Sequence, residues 1–400
     1  MRVLVVSSTC SKEYYDKIYK KRYKPLLDTN QKFFLSLIEG LEKIKNIRVD
    51  CISTIPISSG TYPDRVIPST KEKVGDVEFL YCGCLNLPVM RNLSNAFEVK
   101  RKVAEYLKQH KNEKMIIICD ALLAEVSVNV AMMKRKNTKV LAVVTDVPSI
   151  VDKMNFYCNI KSVLSNFYGK IAMQSLYKYD KYIFLTEQMN ELCNPNYQPY
   201  MIMECIVTPS NFIPEHGLES KNKPYVLYAG KFYRECGVLT LAKAAHLLKD
   251  VCEVWLYGGH GDCMEELRQL SEQIDNLKLH DIVPVEEIHI IETGAAALIN
   301  PRPASEEFTK YSFPSKTAEY MLSGVPVIMY KLPGIPAEYD KYLHYIENES
   351  VEGIAKAVKS LFSENVDQRN SQALAARQFI IKNKNNKNQA ERVLSFALSK

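Results

Sequence analysis

The sequence predicts two successive doubly wound α/β domains. Strand-length apolar runs alternate with amphipathic helical stretches through the first half, and the alternation restarts at Tyr225 after a polar segment. The 400 residues, 46% of them hydrophobic, suffice for two buried cores.

In the first half, Val3 to Val6 reads as a strand, Asn30 to Ile44 as an amphipathic helix and Arg48 to Ile52 as a strand. Glu98 to Gln109 reads as a helix and Met115 to Cys119 as a strand. Leu122 to Lys134 is the next helix and Val140 to Val144 the next strand. Asn166 to Tyr177 and Lys181 to Leu185 complete the alternation. Pro209 to Lys223 is polar, with Pro, Gly and Asn, and is the expected linker. Beyond it come a strand at Tyr225 to Ala229, a helix at Val238 to Leu248, a strand at Val254 to Tyr257, a glycine turn at Gly258 to Gly261, a helix at Cys263 to Gln273 and a strand at Ala296 to Ile299. Asp367 to Lys400 is charged and helical. The expected domains are residues 1–208 and 209–385, with a terminal helix at 386–400.

Composition excludes several classes. A net charge of +6, without a basic repeat interleaved with motif aromatics, does not argue for nucleic acid. The 11 cysteines lie in apolar runs; Cys119, Cys205 and Cys252 read as core thiols of a reducing, cytoplasmic compartment. Cys82 and Cys84 lack metal-ligand spacing, the seven His form no ligand pair, and no metal is expected. The apolar run at Arg2 to Val6 is too short for a signal peptide. Met115 to Met133 falls short of the roughly 18 apolar residues of a membrane span because Asp120, Glu125 and Asn129 interrupt it. One dense basic patch, Lys12, Lys17, Lys20, Lys21, Arg22 and Lys24, is interleaved with tyrosines. It suits anionic lipid head groups at the inner face of a membrane, or is a solvated face.

The most informative stretch is Phe313-Pro314-Ser315-Lys316-Thr317-Ala318-Glu319-Tyr320-Met321-Leu322-Ser323-Gly324-Val325-Pro326-Val327-Ile328. Pro314 suits a first helical turn and Ser315 is a cap-type residue. Gly324 suits a left-handed stop, Pro326 forbids continuation, and Val325 to Met329 reads as a buried strand. The helix start, with Lys316, favours an anion such as pyrophosphate. Glu319 lies one turn further, where a carboxylate can accept from both hydroxyls of a ribose. An ordinary capped helix with a solvated Lys and Glu is the alternative.

This segment resembles the donor-binding signature of retaining GT-B glycosyltransferases of family four. Glu319 matches the second Glu of that signature and Ser323-Gly324-Val325-Pro326-Val327 its tail, while Tyr311 stands at the place of the first Glu. The flanking Asn300-Pro301-Arg302-Pro303 and Leu332-Pro333-Gly334-Ile335-Pro336 resemble a bacterial capsule and exopolysaccharide branch. The resemblance implies a GT-B fold of two Rossmann-like domains facing a cleft. The first would be the acceptor domain and the second the nucleotide-sugar domain, with the terminal helix packing back on the first. It also implies a nucleoside diphosphate sugar donor, a UDP-sugar being the expected form, and a glycan or polyprenyl-linked acceptor. Phe313, Pro314, Ser315, Lys316 and Glu319 are the donor candidates on this stretch.

Gly230 ends a strand and Lys231 follows, with Arg234 nearby; such cations can offset the charge of a departing diphosphate. In the resembling family a basic residue follows the strand-end Gly, which Lys231 matches. Cys236 stands where a later Lys is found, so Arg234 is the candidate substitute. Two solvated loop residues are the other reading. Gly258 and Gly259 would let backbone approach the nucleotide. Asp146 ends the Val140 strand, where the family places a polar group facing the donor sugar; a cap on the next helix is its other reading. Asp120, Thr186 and Glu187 end neighbouring strands as lesser candidates. The expected activity is thus metal-independent, retaining glycosyl transfer. A nucleotide-sugar 2-epimerase of the same fold and a non-catalytic nucleotide-sugar-binding scaffold are the alternatives.

Overall fold

A computed structural model of the chain describes residues 1–23, 29–147, 160–209 and 223–399. Lys24 and most of the expected linker lie outside these residues. The chain divides into two units, Met1–Ile206 with Asn385–Lys400, and Val207–Lys384.

Unit 1 is built on β1 (Arg2–Ser7), β2 (Arg48–Ser53), β3 (Val66–Ile67), β4 (Thr70–Val74), β5 (Val77–Tyr81), β6 (Cys84–Leu85), β7 (Met115–Asp120), β8 (Thr138–Val144), β9 (Lys181–Phe184) and β10 (Tyr200–Ile202). Its main sheet runs β10-β9-β8-β7-β1-β2-β5-β4, and only β4 pairs antiparallel. Met115–Asp120 is buried at all six positions, as a parallel strand covered on both faces must be. The helices are α1 (Lys12–Lys21), α2 (Thr29–Glu42), α3 (Met90–Gln109), α4 (Ala124–Ser127), α5 (Val130–Met133), α6 (Ile160–Ser175) and α7 (Met189–Cys193). The basic patch forms α1, capped by Ser11, whose Oγ accepts from Tyr14 N at 3.1 Å.

Unit 2 is an all-parallel sheet of β11 (Tyr225–Ala229), β12 (Glu253–Tyr257), β13 (Leu277–His280), β14 (Ala297–Asn300), β15 (Val327–Tyr330) and β16 (Leu343–Ile346). Its order is β13-β12-β11-β14-β15-β16. The helices are α8 (Val238–Ala244), α9 (Met264–Gln273), α10 (Val285–Thr293), α11 (Ser315–Ser323), α12 (Val351–Ser363) and α13 (Val366–Asn383). The last helix, α14 (Asn386–Leu398), packs on α2 of unit 1. There Gly40 has no room for a Cβ against Asn386 O, and buried Lys181 Nζ donates to Phe396 O and Ser399 O, both at 2.7 Å.

Three elements differ from the sequence expectation. The helix read over Leu122 to Lys134 is broken into α4 and α5, where Asn129 Nδ2 donates to Ala96 O and Glu125 O, both at 2.9 Å, and bridges α3 to α4. The helix read from Asp367 to Lys400 breaks at Lys384, and Asn385 caps the second piece through its side chain. The helix read from Glu98 begins two turns earlier, at Met90.

Candidate active site

Counted from β11, the strand order of unit 2 is 3-2-1-4-5-6, so the order reverses between β11 and β14. In open parallel sheets of this order ligands bind outside the carboxyl ends of the strands at that point. The loops that follow β11, β12 and β14 meet there, and three glycines weld them. A Cβ on Gly258 would strike Gly230 O, one on Gly261 would strike Phe232 O, and one on Gly237, at φ +72°, would strike Pro301 O. Phe232 N donates to His260 O at 2.7 Å, and Gly230 N to Tyr257 O at 2.8 Å. The missing Cβ of Gly258 thus accommodates the neighbouring loop, a packing reason that the sequence did not show. Gly259 faces Ile282.

The turn Ala229-Gly230-Lys231 is held from α11. Tyr320 Oη accepts from Ala229 N at 3.0 Å, and Tyr228 Oη donates to Lys231 O at 2.7 Å. Burial pushes both phenols well above their ordinary pKa, so they stay protonated. Lys316 Nζ donates to Ala229 O and lies 5.9 Å from the ring centroids of both Tyr228 and Tyr320. The structure thus brings Lys316, predicted at the helix start, directly beside Gly230. Lys231 is exposed, and its ammonium makes no hydrogen bond or ion pair among the described residues.

Pro314 is the N-cap of α11 and Ser315 its first helical residue, so no side chain caps this start. Gly324 ends the helix at φ +75°. Ser315, Lys316 and Glu319 share the face that is not buried. The Phe313 side chain is buried, its ring centroid 5.4 Å from that of Tyr339, so it packs in the core of unit 2. Arg234 is also placed differently from expectation. Its guanidinium pairs with Glu266 on α9, and its N–H donates to Asp262 Oδ1 at 3.0 Å. Cys236 is half-buried against the Tyr228 phenol. The sequence reading missed the importance of Asn300, which closes β14 at the reversal point. Asn300 is buried, and its Nδ2 has no partner among the described residues, an unsatisfied donor at the reversal point.

Asp146 lies in unit 1, exposed at the end of β8, and its Oδ1 accepts from Val147 N at 2.8 Å. Residues 148–159, where a helix capped by it would lie, are outside the described ones. The order in unit 1 reverses between β1 and β7, one strand away. There Asp120 is fully buried, accepts from Leu122 N at 3.2 Å through Oδ1 and has no partner for Oδ2 among the described residues. Burial pushes its pKa up to about 7. Glu187 accepts from Tyr200 Oη at 2.9 Å on the surface, and Thr186 is buried. Among the described residues, no three His, Cys, Asp or Glu side chains gather as metal ligands.

Residues 223–364, within unit 2, match the family of glycosyl transferases group 1. No curated protein sequence matches the chain. Among solved structures, sucrose-phosphate synthase from Thermosynechococcus elongatus aligns over 99% of this chain and 98% of its own, with 15% identity and a TM-score of 0.64. WaaG, a glycosyltransferase involved in lipopolysaccharide biosynthesis, covers 100% of both chains at 12% identity and a TM-score of 0.60. The catalytic domain of starch synthase IV from Arabidopsis thaliana, bound to ADP and acarbose, covers 99% of this chain and 98% of its own, with 11% identity and a TM-score of 0.64. The fold is GT-B, and residues 223–364 of unit 2 are similar to glycosyl transferases group 1.

Proposed function

We propose that the protein moves a sugar from a nucleoside diphosphate sugar to a hydroxyl of a glycan or lipid-linked acceptor, with retention of anomeric configuration and without a metal. The observation that carries this is the reversal point of unit 2. Lys316 and Lys231 flank Gly230 there, the start of α11 adds its positive dipole end, and Glu319 lies on the same face of that helix. Two cations and a helix start suit a diphosphate, and a carboxylate one turn on suits a ribose. The ADP bound to starch synthase IV is in keeping with such a ligand. Departure of the diphosphate is the step at which negative charge grows, and Lys231 is the group we assign to offset it. The acceptor hydroxyl then attacks from the same face, and the departing phosphate takes its proton. Assembly of a capsule or exopolysaccharide is the role we assign to this transfer.

Thermal shift with UDP, GDP and ADP, each with and without EDTA, tests the donor site. One nucleotide should raise the melting temperature of the wild type regardless of EDTA, and the rise should vanish in Glu319→Ala. A rise that needs a divalent ion would overturn metal independence, and no rise with any nucleotide would overturn the donor site. The placement of Arg234 on Glu266 favours one second reading, a nucleotide-sugar-binding scaffold without catalysis. Lys231→Ala separates the two, because an enzyme should lose about 100-fold or more in kcat while still binding nucleotide.

A further inference from the structure

Unit 1 exposes a contiguous apolar surface around the start of α3. Met90, Leu93 and Phe97 recur at helical spacing on one face and are 45%, 58% and 67% exposed. The opposite face, from Asn95 through Val99 and Val103 to Leu107, is the one turned to the core. The surface continues into the short β3–β6 pair. There Val66 lies opposite Leu85, both exposed, and Leu85 N donates to Ser94 Oγ on α3 at 3.1 Å. Leu87 and Val89, between β6 and α3, are exposed too. Val89 holds φ at +65°, a region costly for a β-branched residue. The turn is thus held in a strained shape that keeps apolar side chains in water, which an isolated surface would not favour.

Cations border this surface on two sides. The basic end of α1 is fixed to the segment leading into β3: Tyr23 N donates to Thr61 O at 2.8 Å, and Lys21 lies 3.7 Å from Asp64. That end exposes Lys17 and Lys20, together with Tyr19 and Tyr23. Arg65, next to Val66, is exposed as well. On the other side, Lys100 is exposed one turn beyond Phe97. Lys21 is partly offset by Asp64, and Arg101 is held by Glu98 and Glu105; Lys17, Lys20, Arg65 and Lys100 outnumber the exposed acids Glu13 and Asp16 of α1 and leave the field positive.

We propose that this face of unit 1 docks on an anionic lipid bilayer, with Leu93 and Phe97 entering the interface and the flanking cations against the head groups. Apolar side chains with a basic rim and exposed tyrosines are what such a surface binds. A second copy fits less well, because a self-facing pair would bring the same cations together. The inference does not rest on the sugar-transfer reading, and it fails or stands independently of nucleotide binding.

Flotation with vesicles of phosphatidylcholine alone and of equimolar phosphatidylcholine and phosphatidylglycerol tests it. Wild type should float with the mixed vesicles, less with the neutral ones, and less as salt rises. Lys17→Glu with Lys20→Glu should lower the partition coefficient by about fivefold or more per residue. Leu93→Ser with Phe97→Ser should lower it about tenfold or more while leaving the salt dependence unchanged. The four side chains are exposed, so an unchanged melting temperature confirms that each variant is folded. Absence of wild-type binding to the mixed vesicles would overturn the proposal, as would full binding by the Leu93 and Phe97 variant. So would a concentration-dependent dimer, seen by light scattering and lost in that variant, without vesicle binding.

Discussion

The reversal point of unit 2 gathers cations, whereas that of unit 1 buries acids. At the ends of β11 and β14 stand Lys231, Lys316 and the donor amide of Asn300. At the ends of β1 and β7 stand Asp120 and, on α4, Glu125, both buried and each with one oxygen unpaired among the described residues, together with the hydroxyl of buried Thr9, likewise unpaired among them. The same topology therefore presents opposite chemistry. The first set suits the negative charge of a diphosphate. The second suits a neutral partner that can donate hydroxyl hydrogens. The difference teaches that the doubly wound sheet fixes where a ligand goes, and that a few side chains at strand ends fix which kind.

The comparison can be broken most severely in unit 2 by Gly258→Ala. The added methyl would strike Gly230 O and push apart the loops that carry Lys231 and Gly258. A stability loss of about 2–4 kcal/mol is expected, with loss of any nucleotide-induced thermal shift. Retention of both would show that the loops are not welded.

In unit 1 the corresponding change is Asp120→Asn, read against pH. Folded Asp120 titrates at about 7, whereas the unfolded carboxyl titrates at about 3.9. Between these values the folded state holds a proton that the unfolded chain has released, so the wild type should lose stability as pH rises from about 4 to about 7. Asn cannot ionise and keeps an acceptor for Leu122 N. Its variant should lack this decline and be more stable at pH 8 by on the order of 2–4 kcal/mol. Melting temperatures of both proteins across that range decide it, and parallel declines would remove Asp120 as the source.

The smallest effect is expected from Arg234→Ala. An exposed pair with Glu266 contributes about 0.2–1 kcal/mol, and that pair already engages the guanidinium. Transfer rates should change less than about tenfold, within the loss of a single weak interaction. A drop comparable with that of Lys231→Ala would return Arg234 to the site.

Apolar strands and their alternation with helices were legible, because parallel strands buried on both faces must be apolar. What was not legible had no such signal. Thr70–Val74 is an edge strand of polar and charged residues, mostly exposed, and its sequence carries no core face. The first turns of α3 were lost because Met90, Leu93 and Phe97 face water instead of a core. In the site, Lys316 was visible as a cation at a helix start, yet its partner, Ala229 O, is 87 positions away. The glycine turn after β12 was visible, but not that Phe232 and Gly230 fill the space its glycines leave. Local chemistry is written in neighbouring residues; the reason for a missing Cβ is written in a distant loop.

The return of α14 to unit 1 reverses the order of assembly. Unit 2 is continuous in sequence and can close as soon as Lys384 has been synthesised. Unit 1 lacks the helix that covers α2 until residues 386–398 emerge, although most of it is made first. At ordinary rates of elongation its apolar α2 surface waits on the order of tens of seconds on the ribosome. The nascent first unit is thus the part of this chain that exposes apolar surface longest during synthesis.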